Sequence, residues 1–159
     1  MRPLRGKVHE MGETMGEESV ERFVRAQDGG AYEQALAEIR SGRKRSHWIW
    51  YIFPQVRGLG SSQMATYYGI ASAAELAAYV AHPILMGRLR EISQALLELD
   101  ESNPERVMSW IDAKKLRSSM TLFADATGDP VFQAVLDQYY HGRPDPRTRE
   151  IVAGWVPGE

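Results

Sequence analysis

An all-α single domain of about six to seven helices is the architecture this sequence predicts, and three observations carry the prediction. Four pairs, His82-Pro83, Asn103-Pro104, Asp129-Pro130 and Asp145-Pro146, each set an N-cap residue before a proline suited to the first helical position, where its missing N–H loses nothing. Between those starts apolar residues recur at the 3, 4, 7 spacing of a helix face. No pair of alternating apolar runs flanks a hairpin turn. At 159 residues, 43% hydrophobic and 25% charged, the chain has apolar material for one proper core.

Taken in order, residues 1–17 hold Gly6, Gly12, Gly16 and three methionines with little periodic apolar content. They read as a flexible extension, with Met11 or Met15 as alternative starts. A single globular domain is expected over residues 18–154, with 155–159 as a tail. From Ser19, the residues Val20, Phe23 and Val24 fall on one face of a first helix that ends near Gly29-Gly30. Tyr32, Ala35, Leu36 and Ile39 form a second helix, with Gly42 just beyond it. The run Trp48 to Phe53 is too short for periodicity to separate a buried helical turn from a strand, so it is at most a minor extended element. Gly58-Leu59-Gly60-Ser61-Ser62 reads as a loop. Ser72-Ala73-Ala74-Glu75 is a capping box opening a helix to about Ala81. Pro83 starts a helix with the stripe Leu85, Leu89, Ile92, Leu96 and Leu99. Asp112 is expected to cap a helix carrying Leu116, Met120 and Phe123, and Pro130 begins one with Phe132, Val135, Leu136 and Tyr139.

Composition narrows the function classes. The net charge of −2 and pI near 6.1 give no broad positive field, so nucleic-acid binding through Arg43–Arg45 and Arg143–Arg149 is disfavoured. With no cysteine, thiolate metal sites and cysteine nucleophiles are excluded, and a cytoplasmic location is the default expectation. No apolar run approaches membrane-spanning length. No His, Asp and Glu set stands at metal-ligand spacing and no cofactor fingerprint is present, so neither a metal nor a cofactor is expected.

The chemistry concentrates in Gly42 to Gln55, where Arg43, Lys44, Arg45 and His47 abut six consecutive large apolar residues that include Trp48 and Trp50. Guanidinium offers a bidentate fork to an anion and lysine a point charge, while the indoles offer ring faces. The plainer alternative is a solvated helix end. His47 and Asp112 are the candidate general acids or bases, an imidazole and a carboxylate beside the cations; the plainer alternative is a hydrogen-bonded structural role. Gly60 and Ser62 would lend a phosphate backbone N–H groups and a hydroxyl, but the Lys-Ser/Thr ending of a nucleotide-triphosphate loop is missing. Lys115, Ser118 and Ser119 sit three and four apart on one helix and offer a conceivable Ser–Lys pair, although the Ser-x-x-Lys order is absent. Gln27 recognises an amide edge or else satisfies a buried backbone group, and Gln55 closes the same stretch.

Several blocks resemble, in order, the domain of unknown function 1810 family: Arg22-Phe23-Val24-Arg25-Ala26-Gln27, Gly42 through Gln55, Gly58 through Ser62, His82-Pro83 with Arg88-Leu89, and Asp112 through Phe123. The resemblance spans about residues 19 to 152. It implies a mainly helical cytosolic fold and no particular reaction. The label calpastatin, carried by some relatives, implies a disordered inhibitor, which the core-forming periodicity contradicts. In one place the sequence departs from the family pattern: Met108-Ser109 stand before Trp110 where a Phe-Gly pair is expected, so a tight turn there would have to form without glycine.

Two functions follow as expectations. The first is a pocket for an anionic, phosphorylated or nucleotide-like small molecule, with cofactor-free hydrolysis as the reaction class if there is turnover. The second is a non-catalytic interaction module using the Arg43–Gln55 segment. Buried Trp48 and Trp50 would favour the pocket; solvent-facing indoles would favour the docking surface.

Overall fold

The computed structural model describes residues 19–156. The expected extension over 1–17 and most of the expected tail lie outside the described residues. Ten helical segments and no strands make up the described chain. They are α1 (residues 19–27), α2 (Ala31–Arg40), α3 (Ile49–Ile52), α4 (Gln63–Tyr68), α5 (Ala73–Ala81), α6 (Pro83–Leu97), α7 (Pro104–Met108), α8 (Trp110–Thr127), α9 (Pro130–Tyr140) and α10 (Pro146–Ala153).

The four proline pairs open α6, α7, α9 and α10. In each, the side chain of the residue before proline accepts a hydrogen bond from a first-turn N–H: His82 from Leu85, Asn103 from Glu105, Asp129 from Val131 and Asp145 from Arg147. Helix α9 packs against both α6 and α8, with α2 and α5 against α6 and with α7 and α10 against α8. Aromatic rings run through the middle: Tyr79 meets Phe23 edge-on at 5.1 Å and Phe123 at 5.2 Å, and Phe123 meets Phe132 at 6.0 Å.

The apolar run at Trp48 to Phe53, open between a helical turn and a strand, is a single helical turn, in which Trp48, Ile49, Ile52 and Phe53 are all buried because a turn sends them to several sides of the core at once. Among the described residues, extended pairing is limited to a parallel bridge between Val56 and Ile70. Two other local expectations are corrected. Helix α4, unforeseen in the glycine-serine region, starts where the Ser62 hydroxyl accepts from the Ala65 N–H at 3.1 Å. Asp112 does not cap α8, which begins two residues earlier at Trp110 behind Ser109.

The capping box at Ser72 forms only by half. Ser72 Oγ accepts the Glu75 N–H at 3.1 Å, but the Glu75 carboxylate turns to the Ala71 N–H and to Arg22. Arg22 is itself buried, pairs with Glu75 at 3.1 Å, and donates to the carbonyls of Tyr67 at 2.8 Å and Gly69 at 3.2 Å. One guanidinium thereby joins α1, the end of α4 and α5, and its donors are met by carbonyls as well as by the carboxylate, as a buried charge requires. Among the described residues no helix is long and apolar enough to cross a membrane.

Candidate functional site

The site begins with Glu38 in the last turns of α2. A carboxylate there opposes the helix dipole, and its position is explained by what it holds. It accepts the N–H groups of Arg45 at 2.6 Å and Ser46 at 2.9 Å, the Ser46 hydroxyl at 2.6 Å and the Trp48 indole N–H at 3.0 Å. Burial alone would push the Glu38 carboxyl up, but the hydrogen bonds from Ser46, Arg45 and Trp48 outweigh it and hold the pKa at about 2. The segment after Gly42, whose φ of 89° suits glycine, is thus folded back along α2. It is tied to α7 by the Lys44 N–H, which donates to the Val107 carbonyl at 2.7 Å.

This fold-back turns the Lys44 side chain inward. Its ammonium donates to the Ser46 carbonyl, lies 4.9 Å from the centre of the Trp48 ring, and pairs with Asp112 Oδ2 at 2.9 Å. Asp112 Oδ1 is 3.7 Å from Lys115 Nζ, which stands 5.3 Å from the centre of the Trp50 ring. Two ammoniums and one carboxylate therefore lie between two indoles, with side-chain exposures of 6% for Lys44, 15% for Asp112 and 22% for Lys115. The Trp50 N–H is buried and has no acceptor among the described residues.

On the outer side of Lys44 a cleft of about 480 Å³ is lined by Arg43, Lys44, Glu105, Arg106, Val107 and Ser109. Ser109 leads into α8 with φ 75° and ψ 164°, and no side chain caps that helix start. The next residues, Trp110 and Ile111, are 59% and 50% exposed. Lys114 Nζ lies 4.9 Å from the centre of the Trp110 ring. The arrangement combines cations, an uncapped helix N-terminus and an exposed ring, all of which interact favourably with anions or planar groups.

Of the residues singled out in the sequence, Arg43, Lys44, Trp48, Trp50, Asp112 and Lys115 are gathered here by α3, α7 and α8. His47 is exposed, and its carbonyl accepts the Tyr51 hydroxyl at 3.4 Å. Gln27 is buried; it donates to the Tyr51 carbonyl at 2.7 Å and accepts from Arg88 at 3.2 Å. Gln55 is buried and its carbonyl takes the Ile70 N–H. Gly60 lies where a Cβ would come within 3.0 Å of the Ala65 methyl, and the Ser62 hydroxyl caps α4. Ser118 donates to Asp145 at 2.7 Å, beside Thr148, which does so at 2.6 Å. Burial raises the Asp145 pKa, and the bonds from Thr148 and Ser118 more than reverse this, leaving it below the usual carboxylate value. Ser119 Oγ is buried without a partner among the described residues, and Lys115 pairs with Asp112 rather than with either serine. Glu38 and Arg106 escaped the sequence reading, and Ser109 entered it only as a turn without glycine. The acid at a helix C-terminus was the one signal that marked Glu38.

Among the described residues no group of His, Asp and Glu could hold a metal ion. A comparison with curated proteins gives no match. In structure the chain is similar to the conserved hypothetical protein Rv1873 from Mycobacterium tuberculosis, with 44% identity and a TM-score of 0.80 over 84% of this chain and 96% of that one. The pattern of one family fits residues 17–152, and the chain therefore belongs to the family described as protein of unknown function (DUF1810).

Proposed function

We propose that the chain is a cytoplasmic small-molecule binding domain whose ligand is phosphorylated and nucleotide-like, held in the cleft beside the start of α8. The observation that carries the reading is the pair of guanidiniums, Arg43 and Arg106, that lines that cleft with one carboxylate, Glu105, beside the uncapped N-terminus of an 18-residue helix; the Lys44 ammonium is turned inward to Asp112. Guanidinium groups bind phosphoryl oxygens bidentately, and helix N–H groups and dipole favour the same charge. Trp110, next in the chain to Ser109, offers an exposed face on which a planar ring can stack. Binding is better supported than turnover. Asp112 is engaged by two lysines and His47 stands exposed on the surface, so neither is held in a geometry that presents it to a reacting atom.

A docking module is the second reading, and one observation favours it: Trp110 and Ile111 form an exposed apolar pair. Trp48 is buried and Trp50 and Tyr51 are half-buried, which leaves the Arg43–Gln55 segment little aromatic surface for docking. Fluorescence titration with ADP, a sugar phosphate and inorganic pyrophosphate separates the two. The pocket reading expects a saturable change in Trp110 emission, absent in Trp110→Phe, with affinity at least about tenfold weaker in Arg43→Ala, roughly 1.4 kcal/mol. No saturable response to any of the three would contradict it and favour docking.

A further inference from the structure

Trp50 on α3 and Lys115 on α8 meet at a seam whose chemistry is incomplete. An indole nitrogen can only donate, and such a group is ordinarily paired once it leaves water. The Trp50 N–H is buried and unpaired among the described residues. Lys115 Nζ stands over the same ring, and its carboxylate neighbour Asp112 already closes a shorter pair with Lys44. Two ammoniums thus share a single carboxylate where none of the three side chains is more than 22% exposed. One turn beyond Lys115, the buried Ser119 hydroxyl also lacks a partner.

A half-buried ammonium that has only the longer share of one carboxylate, beside a donor left unpaired, calls for one kind of group: an oxygen that carries negative charge and only accepts hydrogen bonds. A water molecule would meet the N–H but leave the charge. We infer that the Trp50 N–H and the Lys115 ammonium form a subsite for an oxyanion, phosphoryl or carboxylate, carried by the ligand of the adjoining cleft. This rests on the proposed function above, since Lys44 both lines that cleft and shares Asp112 with Lys115.

The indole N–H signals in a proton–nitrogen correlation spectrum test it on the full chain, with Trp50→Phe identifying the Trp50 resonance. Inorganic pyrophosphate and oxalate are titrated separately at constant ionic strength. The subsite requires a saturable downfield shift of the Trp50 proton with one of them, and which one responds names the anion. The response should weaken at least about tenfold in Lys115→Met and persist in Lys115→Arg. Unchanged Trp48 and Trp155 signals in each variant would certify the fold. A Trp50 signal unmoved by both anions, or moved equally in Lys115→Met, would overturn the subsite. A ligand that binds the cleft by Trp110 emission yet leaves Trp50 in place would overturn the subsite alone; a Trp50 response without any cleft binding would uphold it and overturn the cleft reading instead.

Discussion

At Glu38 five donors, Gln34 Nε2 at 3.2 Å among them, meet one carboxylate, and the consequence is that the segment after Gly42 is held by a group that must stay ionised. The folded pKa of about 2 lies below the ordinary 4.5, so the stabilisation is fully present above about pH 4.5 and is lost as pH falls through about 2. Glu38→Gln keeps the shape but sets an amide N–H₂ against donors. It should cost on the order of 2 kcal/mol at pH 7 by urea denaturation, with the gap to the parent closing as pH drops toward 2. A pH-independent gap would contradict the assignment. Ser109 sits at φ 75° and ψ 164°, a region essentially reserved for glycine that costs other residues about 1–3 kcal/mol. The glycine that the family resemblance implies at this position would fit that backbone without strain. Ser109→Gly should stabilise the chain by about 1 kcal/mol, after a partial offset from the freer unfolded chain. A loss of stability in the denaturation curve would refute that reading of the turn.

Elements announced by local chemistry were legible. An N-cap followed by proline is decided within two residues, so the starts of α6, α7, α9 and α10 stood in the sequence. Helix α4 was not, because Gln63 to Tyr68 has no apolar stripe and buries only Ala65. The start of α8 was misplaced because Asp112 has the chemistry of a cap, whereas tertiary contact with Lys44, far away in sequence, is what it satisfies. The same limit applies to the site. Arg43, Lys44 and the tryptophans were visible as a cluster in sequence, but their partners Asp112, Lys115 and Arg106 reach them only through the packing of α3, α7 and α8. Gly69, at φ −66°, is required for space rather than for backbone conformation: a Cβ there would lie 2.7 Å from the Arg57 Cα and 2.9 Å from the Ala65 carbonyl. Gly69→Ala should therefore destabilise by about 1–3 kcal/mol through overpacking, lowering Tm by several degrees. An unchanged Tm would show that α4 and the Val56–Ile70 bridge yield freely.

For the molecule as a whole, the helical core positions a small polar site at one margin. Net charge is −2, yet Arg43 and Arg106 line one cleft with a single carboxylate, Glu105. On the proposed function, such a local site would select small anions over extended polyanions, which need charge over a wide surface. Arg22 binds α1 to α4 and α5 away from solvent, so added salt should act on the cleft much more than on the fold. The central claim is that this cleft binds a phosphorylated small molecule through its arginines. Its most direct test is thermal denaturation of the full chain against nucleotides, sugar phosphates and pyrophosphate, run in parallel on an Arg43→Ala, Arg106→Ala double variant. A ligand at a hundred times its Kd adds roughly 2.7 kcal/mol. The account predicts that at least one phosphorylated compound raises Tm in the parent and fails to do so in the double variant; equal shifts in both proteins, or none in either, would contradict it.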